Sequence, residues 1–228
     1  MCGRKALAHP AGSRFRCAIS GALTFIAVVI SLAARPESVL SQNSVVDQLE
    51  ISEHLGWAAG DDKALLTVVE FTDISCPYCA SFYKGTRAEL HAEFVGEGKV
   101  RWITLSYVSG LYPNSEALSI GVECAGHQDR YDDFLALAYL ERAAWILAGS
   151  DDTEAILEGF ANQIGLDRAA FATCQVDPLV KNRLSDIAAL AQNVGVRGTP
   201  TWFVDGFLVM GDLPYGFARH FITSRLEG

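Results

Sequence analysis

The sequence predicts an α/β fold in which a block of helices is inserted into a small sheet. Two groups of predicted strands lie far apart in the chain, at about 65–107 and 201–210, and only helical periodicity is found from Ser115 to Val194. Neither group of strands could bury a sheet face by itself, so both are expected to join one sheet. We therefore predict one domain over residues 42–228, with a helical insertion at about 114–194.

The first 34 residues differ in composition from the rest of the chain. Four basic residues precede or border an uncharged stretch, Cys17–Ala34, and no acidic residue occurs before Glu37. This order is typical of an export signal, and the stretch is also just long enough for a transmembrane helix. Residues 1–41 are predicted to be a signal peptide or membrane anchor plus a linker. The rest of the chain is then expected to lie outside the cytoplasm, in the periplasm.

The charge of the chain excludes nucleic acid as a partner. The sequence has 18 basic and 27 acidic residues, which gives a net charge of −9. Residues 1–34 hold four of the basic residues and none of the acidic ones, so the exported part carries a net charge of −13. A strongly acidic surface repels a polyanion.

Local patterns predict the elements before the insertion. The run Leu65–Phe71 is β-branched and almost entirely apolar, which predicts a buried central strand. Lys99–Tyr107 alternates apolar and polar residues, which predicts a second strand. Between them, Cys76-Pro77 is expected to open a helix that reaches about Phe94, since proline is favoured at the first helical position. Residues 35–60 are mixed in composition and are expected to be a linker and lead-in.

Capping and turn residues predict boundaries in the second half of the chain. Asp177-Pro178 is a helix start signal, and Gly165 and Gly195 are typical of helix ends. Asp205-Gly206 predicts the turn of a β-hairpin, because both residues tolerate the backbone of a tight turn. A last helix is expected over about 214–225.

Cys76 and Cys79 are spaced for redox chemistry. Two cysteines three apart on the first turn of a helix can close a short disulfide, and the helix N-terminus stabilises the thiolate of Cys76. Cys79, one turn inside, is expected to be the resolving thiol, and we expect the pair to be exposed enough for rapid exchange. Glu70 lies in the buried strand that points at this helix. Its carboxylate could accept the proton of Cys79, or could simply pair with Lys63 or Lys84.

Two other interpretations of these cysteines remain, a structural disulfide and half of a zinc site. No second pair of cysteines or histidines completes a zinc site, so no metal ligand is assigned. A second motif, Gly198-Thr199-Pro200, comes directly before a predicted strand. A proline there loses a ladder hydrogen bond, which makes a cis peptide bond a reasonable candidate. Tyr107 and Tyr112 could line a substrate groove or belong to ordinary packing.

The stretch FTDISCPYC, the later VRGTPTWFVDG and the helical insertion together resemble the DsbA-like thiol–disulfide oxidoreductases of the thioredoxin-fold superfamily. The resemblance spans about residues 62–225 and implies a thioredoxin-like fold with an inserted helical domain. It implies that Cys76 attacks substrate disulfides and that Cys79 resolves them, with no cofactor beyond this redox-active disulfide. It further implies a cis Pro200, contact of Thr199 with the substrate backbone, and the family's buried acid at Glu70.

Cys124 and Cys174 lie on separate predicted helices, fifty residues apart. Some proteins that resemble this chain carry a second, structural disulfide at such a pair, which is the interpretation we favour. The alternative is two buried free cysteines that behave as small apolar residues.

The sequence departs from the strongly oxidising and the dimeric members of the family. Pro77-Tyr78 stands where the strong oxidants have Pro-His, and there is no room for an N-terminal dimerisation domain. We therefore expect a monomer of moderate oxidising power, acting on unfolded or partly folded secreted proteins and reset by a membrane redox partner. Alternatives are a periplasmic reductase or isomerase, which Thr199 before the proline fits, and a copper-handling or holdase protein that uses the same dithiol.

Overall fold

A computed structural model of the chain describes residues 42–228. The predicted signal peptide or anchor lies outside the described residues, and its cleavage stays a prediction. Among residues 42–228, none of the helices combines the length and apolar character needed to span a bilayer.

One mixed sheet of five strands forms the centre of the fold, in the order β1-β3-β2-β4-β5. The central strands β2 and β3 run parallel, and every other neighbouring pair is antiparallel. Both predicted groups of strands therefore join one sheet, as expected. The strands are β1 (Trp57–Ala59), β2 (Leu66–Thr72), β3 (Val100–Ser106), β4 (Thr201–Val204) and β5 (Phe207–Met210).

The helices before the insertion are α1 (Gln42–Leu49), α2 (Ser52–Leu55), α3 (Pro77–Lys84) and α4 (Thr86–Leu90), the last followed by a π-helical turn (His91–Val95). The insertion contains α5 (Ser115–Gly126), α6 (Tyr131–Leu140), α7 (Arg142–Trp145), α8 (Ser150–Gln163), α9 (Arg168–Gln175) and α10 (Pro178–Asn193). The final helix is α11 (Tyr215–Leu226). An α/β fold with an inserted helical block is thus confirmed.

Two expectations about the first half of the chain are wrong. The lead-in at 35–60 contains α1, α2 and the edge strand β1. That strand has only three residues, two of them alanine, so no alternation marks it in the sequence. The single helix expected to reach Phe94 is broken at Gly85, whose backbone (φ −105°, ψ −107°) leaves the helical region.

The capping and turn predictions are confirmed. Asp177 caps α10, its Oδ1 accepting a hydrogen bond of 2.9 Å from the Leu179 N–H. Gly165 and Gly195 follow helices with φ of 75° and 81°, and Asp205-Gly206 joins β4 to β5 with φ of 50° and 74°.

Apolar side chains cover both faces of the sheet. Phe82 of α3, Leu90 of α4 and Ile222 of α11 pack with Trp102 and Trp202 on one face. On the other face the inserted helices pack against strand residues that include Val69, Phe71, Ile103 and Phe203. Cys76 and Cys79 belong to this second cluster, so the active-site helix α3 contributes to both layers.

Cys124 on α5 and Cys174 on α9 are joined by a disulfide, with their Cα atoms 5.7 Å apart. The bond closes a loop of 50 residues within the insertion. The structure therefore forms the pair as a disulfide and not as two free thiols.

We expect removal of this disulfide to destabilise the domain without removing the redox pair. Closing a 50-residue loop stabilises a folded chain by about 4 kcal/mol in the chain-entropy account. The double variant Cys124→Ala/Cys174→Ala should therefore unfold at lower urea than the parent protein. As a control, parent and variant should have nearly the same urea midpoint in reductant, where neither holds the Cys124–Cys174 disulfide and both have a reduced Cys76–Cys79 pair. Equal midpoints for parent and variant without reductant would contradict the stabilising role.

Candidate active site

The loop between β2 and α3 places Cys76 at the beginning of a helix. Cys76 is the N-cap residue with an extended backbone (φ −72°, ψ 126°), and Pro77 is the first helical residue. The Cys76 N–H donates to the Asp73 carbonyl at 2.9 Å, and the Cys76 carbonyl accepts from the Ala80 N–H at 3.1 Å. Cys76 therefore stands at the N-terminal end of α3, where the positive end of the helix dipole favours a thiolate.

The buried side chain of Asp73 holds this loop in place. No pattern in the sequence predicted this role for Asp73. The Asp73 carboxylate accepts hydrogen bonds from the Ser75 N–H (2.9 Å), the Ser109 N–H and hydroxyl (3.0 and 2.6 Å) and the Ser115 hydroxyl (2.7 Å). These bonds tie the active-site loop to the segment that follows β3. Their donors lie up to 42 residues away in the chain, so no local pattern identifies them.

Cys76 and Cys79 are both free thiols and both buried, with 0% and 1% of their surfaces exposed. The expectation of an exposed pair is therefore wrong. Tyr78, between the two cysteines, is 64% exposed.

The two thiols are electrostatically unequal. The pKa of Cys76 is lowered to about 5, chiefly by a hydrogen bond from the Cys79 thiol. Burial acts in the opposite direction, and the side chains of Thr199 and Tyr112 lower the pKa further. The pKa of Cys79 is raised well above its ordinary value by burial and then by the neighbouring Cys76 sulfur. These opposite shifts favour a thiolate at Cys76 and a protonated thiol at Cys79 at neutral pH.

The predicted Gly198-Thr199-Pro200 motif lies next to the Cys76–Cys79 pair. The Thr199–Pro200 peptide bond is cis, as the sequence predicted. The Cys76 sulfur lies 3.3 Å from the Thr199 carbonyl oxygen, across a separation of 123 residues, and donates a hydrogen bond to it when Cys76 is protonated. Thr199 therefore has its backbone and its side chain beside the reactive sulfur.

Glu70 is buried in an ion pair, although neither of the two lysines considered is its partner. Its Oε2 accepts from Arg87 Nε at 2.9 Å and from Trp102 Nε1 at 2.7 Å. Arg87 is 4% exposed, and its guanidinium also donates to Thr104 at 3.2 Å. The sequence places Glu70 correctly in the buried strand but gives no sign that a buried arginine on α4 would engage it.

Three tyrosines near the site have different surroundings. Tyr112 hydrogen-bonds the Cys76 sulfur, and this contact raises the pKa of Tyr112 to about 12. Tyr107 packs edge-on against Phe71, with ring centroids 6.4 Å apart, which is ordinary packing. The hydroxyl groups of Tyr139 and Thr72 are 3.0 Å apart and share one hydrogen bond. Tyr139 was not among the residues predicted to lie near the site. Burial raises the pKa of Cys79, and the Thr72 side chain acts in the opposite direction.

Within residues 42–228, no three histidine, cysteine or acidic side chains come together in a metal-binding cluster.

A model of the thioredoxin family matches residues 53–222. The chain belongs to this family. The matched range includes the sheet, the Cys76–Cys79 pair and the Thr199–Pro200 bond, and ends within the final helix.

Solved structures of DsbA-like proteins have the same fold. Wolbachia pipientis α-DsbA2, a thiol-disulfide exchange protein, aligns with a TM-score of 0.65 at 18% identity, over 80% of this chain and 96% of that one. BdbD from Bacillus subtilis aligns with a TM-score of 0.69 at 20% identity, over 77% and 95%. A thioredoxin-like oxidoreductase from Silicibacter pomeroyi gives 0.65 at 23% identity, over 80% and 98%. The thioredoxin-like fold with a helical insertion is therefore confirmed.

Curated relatives are longer than this chain. A Na⁺/H⁺ antiporter NhaA from Herminiimonas arsenicoxydans is 28% identical over 168 residues, which is 74% of this chain and 24% of the antiporter. A Rickettsia prowazekii protein whose name proposes a protein-disulfide oxidoreductase activity is 20% identical over 148 residues, covering 64% of this chain and 53% of that one. The chain thus spans about a quarter of the first relative and about half of the second.

We expect the reduced protein to gain stability over the disulfide form as the pH rises. The folded pKa of Cys76 is about 5 and its ordinary value is 9.0. Between these values the unfolded chain binds one more proton than the folded one, so stability rises with pH and is lost as the pH falls towards 5. Urea unfolding of the reduced and oxidised forms from pH 5 to 9 measures this difference.

The oxidised protein is the control, because it lacks only the two thiols of the pair and retains the other titrating groups, including His91 and Glu123, whose pKa values are shifted by burial. A difference between reduced and oxidised forms that does not change with pH would show that Cys76 is not a low-pKa thiol.

Proposed function

We propose that this chain is an exported thiol–disulfide oxidoreductase of the DsbA type. The observation that carries the proposal is the unequal pair of thiols at the beginning of α3, set against the cis Thr199–Pro200 bond. A thiolate at Cys76 and a protonated thiol at Cys79 are the two groups that sequential disulfide exchange requires.

The proposed reaction proceeds through a mixed disulfide at Cys76. In the oxidising direction, a substrate thiolate attacks the Cys76 sulfur of the Cys76–Cys79 disulfide, and Cys79 leaves as a thiolate and takes up a proton. A second substrate thiolate then attacks the substrate sulfur, forms the substrate disulfide and releases the Cys76 thiolate. In the reducing direction the same bonds form and break in reverse, with Cys79 displacing the substrate. Glu70 stays a prediction as proton acceptor, because Arg87 and Trp102 already engage its carboxylate.

Unfolded or partly folded secreted proteins are the proposed substrates. Thr199 offers backbone groups beside the Cys76 sulfur, where an extended substrate segment would align. Tyr78 and Leu111 are 64% and 74% exposed, the first between the cysteines and the second next to Tyr112, and they suit contact with apolar segments. A monomer in the periplasm, soluble or held by its N-terminal segment and reset by a membrane redox partner, completes the proposal.

The stabilised thiolate favours net oxidation over reduction. Each factor that lowers the pKa of Cys76 stabilises the reduced enzyme and makes its disulfide a stronger oxidant. Tyr78 supplies no imidazolium to this thiolate, whereas Tyr112 supplies a hydroxyl. We therefore propose an oxidant of moderate strength. The alternative is a reductase or isomerase, and the redox potential of the Cys76–Cys79 pair would distinguish the two.

Replacing each cysteine of the pair with serine should give two different biochemical defects. Cys76→Ser should abolish catalysed reduction of insulin, because the nucleophile is gone. Cys79→Ser should accumulate mixed disulfides with substrate proteins, which non-reducing gels and mass spectrometry detect. The variant Cys124→Ala/Cys174→Ala should retain catalysis and serves as the matched control.

Adducts on Cys76→Ser and none on Cys79→Ser would reverse the two roles. Absence of any catalysis by the parent protein, together with tight copper binding by the dithiol, would favour the copper-handling alternative.

Replacing the exposed Tyr78 with histidine should make the protein a stronger oxidant. An imidazolium on the first turn stabilises the Cys76 thiolate, and each unit of lowered pKa corresponds to about 30 mV in the potential. The potential of the parent should lie between about −270 and −120 mV, and Tyr78→His should raise it by tens of millivolts, measured against glutathione. Unchanged potential and unchanged Cys76 pKa in this variant would show that the dipeptide does not set the redox properties.

A further inference from the structure

Helix α7 of the insertion places an arginine against the active-site loop. Arg142 Nη2 donates to the carbonyl oxygen of Ser75 at 2.7 Å, across a separation of 67 residues. Ser75 directly precedes Cys76, so covalent geometry keeps this oxygen within about 6 Å of the Cys76 sulfur. Arg142 Nη2 therefore lies within about 9 Å of the reactive atom. The exchange chemistry described above gives this cation no role.

The backbone that carries Arg142 is held by buried contacts. Trp145, at the other end of α7, is completely buried, and its indole N–H donates to the Ala138 carbonyl at 2.8 Å. The Trp145 carbonyl accepts from the side-chain amide of Asn114 at 2.8 Å. Arg142 is thus presented to the loop by a fixed element, which reduces the ordering that a ligand would have to impose on it.

Most of the Arg142 guanidinium has no partner. A guanidinium has several N–H donors, and the bond to Ser75 uses one of them. Within residues 42–228 its Nε is buried without a hydrogen-bond partner, its Nη1, which is not buried, has none either, and no carboxylate pairs with it. The remaining donors suit a carboxylate, because arginine can bind both carboxylate oxygens at once.

The other charges around the Cys76 sulfur do not compensate Arg142. The Asp73 carboxylate in the same loop is completely buried and already accepts from four donors. The exposed charges on the surrounding segments are of both signs; they are Glu141, Arg197 and Asp212. Arg142 is therefore the cation whose contact with the active-site loop the structure fixes.

We propose that Arg142 is a substrate-binding residue, one that holds a carboxylate of an anionic disulfide while Cys76 reacts with it. The inference rests on the proposed thiol–disulfide exchange and adds a substrate class to it. The Cys76 thiolate attacks one sulfur of the disulfide, forms a mixed disulfide and releases the other half as a thiolate. Because the exported part of the chain carries a net charge of −13, a local cation is needed to attract such a substrate to this sulfur.

Oxidised glutathione and its fully esterified form are a matched pair of probes. They share the same disulfide, but oxidised glutathione has a net negative charge, whereas the ester keeps only its ammonium groups. The reduced protein is mixed with each probe, and acid quenching, alkylation and mass spectrometry give the rate of attack by Cys76. Neutral pH lies well above the Cys76 pKa of about 5, so a small change in this pKa leaves the thiolate fraction nearly constant.

We expect Arg142→Gln to slow the attack on oxidised glutathione by about three- to tenfold, the effect of losing one charged contact. The attack on the ester should change by less than about twofold. Arg142→Lys should retain most of the rate with oxidised glutathione, because it keeps the charge. Lys63→Gln removes one positive charge at the opposite end of β2 and should alter neither rate.

Two further measurements identify the source of the carboxylate and test binding alone. Peptide disulfides with aspartate or lysine beside the cysteine show whether protein substrates use the same contact. An effect of Arg142→Gln on glutathione alone assigns the contact to small anionic disulfides, and an effect on the aspartate peptide extends it to acidic protein segments. S-methylglutathione, which cannot exchange, should shift the Arg142 side-chain N–H resonance of the parent in NMR spectra, and its ester should not.

The proposal is overturned if Arg142→Gln slows attack on both glutathione probes equally, since the arginine would then only hold the loop, or if it changes neither rate. If that variant does not fold, an Arg142 resonance that S-methylglutathione leaves unshifted in the parent overturns it instead. Failure of the parent to form a mixed disulfide at Cys76 with either probe would contradict the proposed function itself.

Discussion

The contact between the Cys76 sulfur and the Thr199 carbonyl joins two parts of the chain that are 123 residues apart. It connects the loop after β2 to the loop before β4, and these loops are separated in the chain by β3 and the whole helical insertion. The two flanking strands are themselves neighbours in the sheet, with Phe71 opposite Thr201. Because the reactive sulfur lies between the loops, its environment exists only when both halves of the sheet have assembled. The proposed redox site therefore depends on the complete fold and not on the Cys-Pro-Tyr-Cys segment alone.

Buried polar groups organise the surroundings of that contact. Asp73 holds the loop before Cys76 through serine donors, and Glu70 joins strand β2 to helix α4 through Arg87. Both carboxylates satisfy the rule that buried charge needs partners, but by different means, since Asp73 uses neutral donors and Glu70 uses a cation. Removing Arg87 would leave the buried Glu70 carboxylate without a cation, with only the Trp102 N–H as donor.

The sequence predicted those features that depend on local chemistry. The strand at 66–72, the start of α3 at Cys76-Pro77, the Asp205-Gly206 turn and the cis bond before Pro200 each have a residue type that nearly dictates the geometry. Strand β1 escaped prediction because three residues with two alanines carry no periodic signal.

The partners within the site could not be predicted in the same way. Arg87 approaches Glu70 from 17 residues away, and Tyr139 approaches Thr72 from 67 residues away. Such pairings are set by how helices pack on the sheet, which the spacing of residues along the chain does not encode. The low pKa of Cys76 has partly the same origin, since besides Cys79 the distant side chains of Thr199 and Tyr112 lower it. The sequence therefore identified the reactive residues but not the groups that control them.

The covered position of Cys76 also bears on how the protein survives its own chemistry. A thiolate of low pKa is the form of cysteine that peroxides oxidise to sulfenic acid and then irreversibly to sulfinic acid. With Cys76 completely buried and Cys79 in hydrogen-bonding contact with it, a sulfenic acid formed there would be met by a neighbouring thiol. Condensation of the two would give the ordinary Cys76–Cys79 disulfide and water. On the proposed function, this product is one of the two ordinary redox states of the pair.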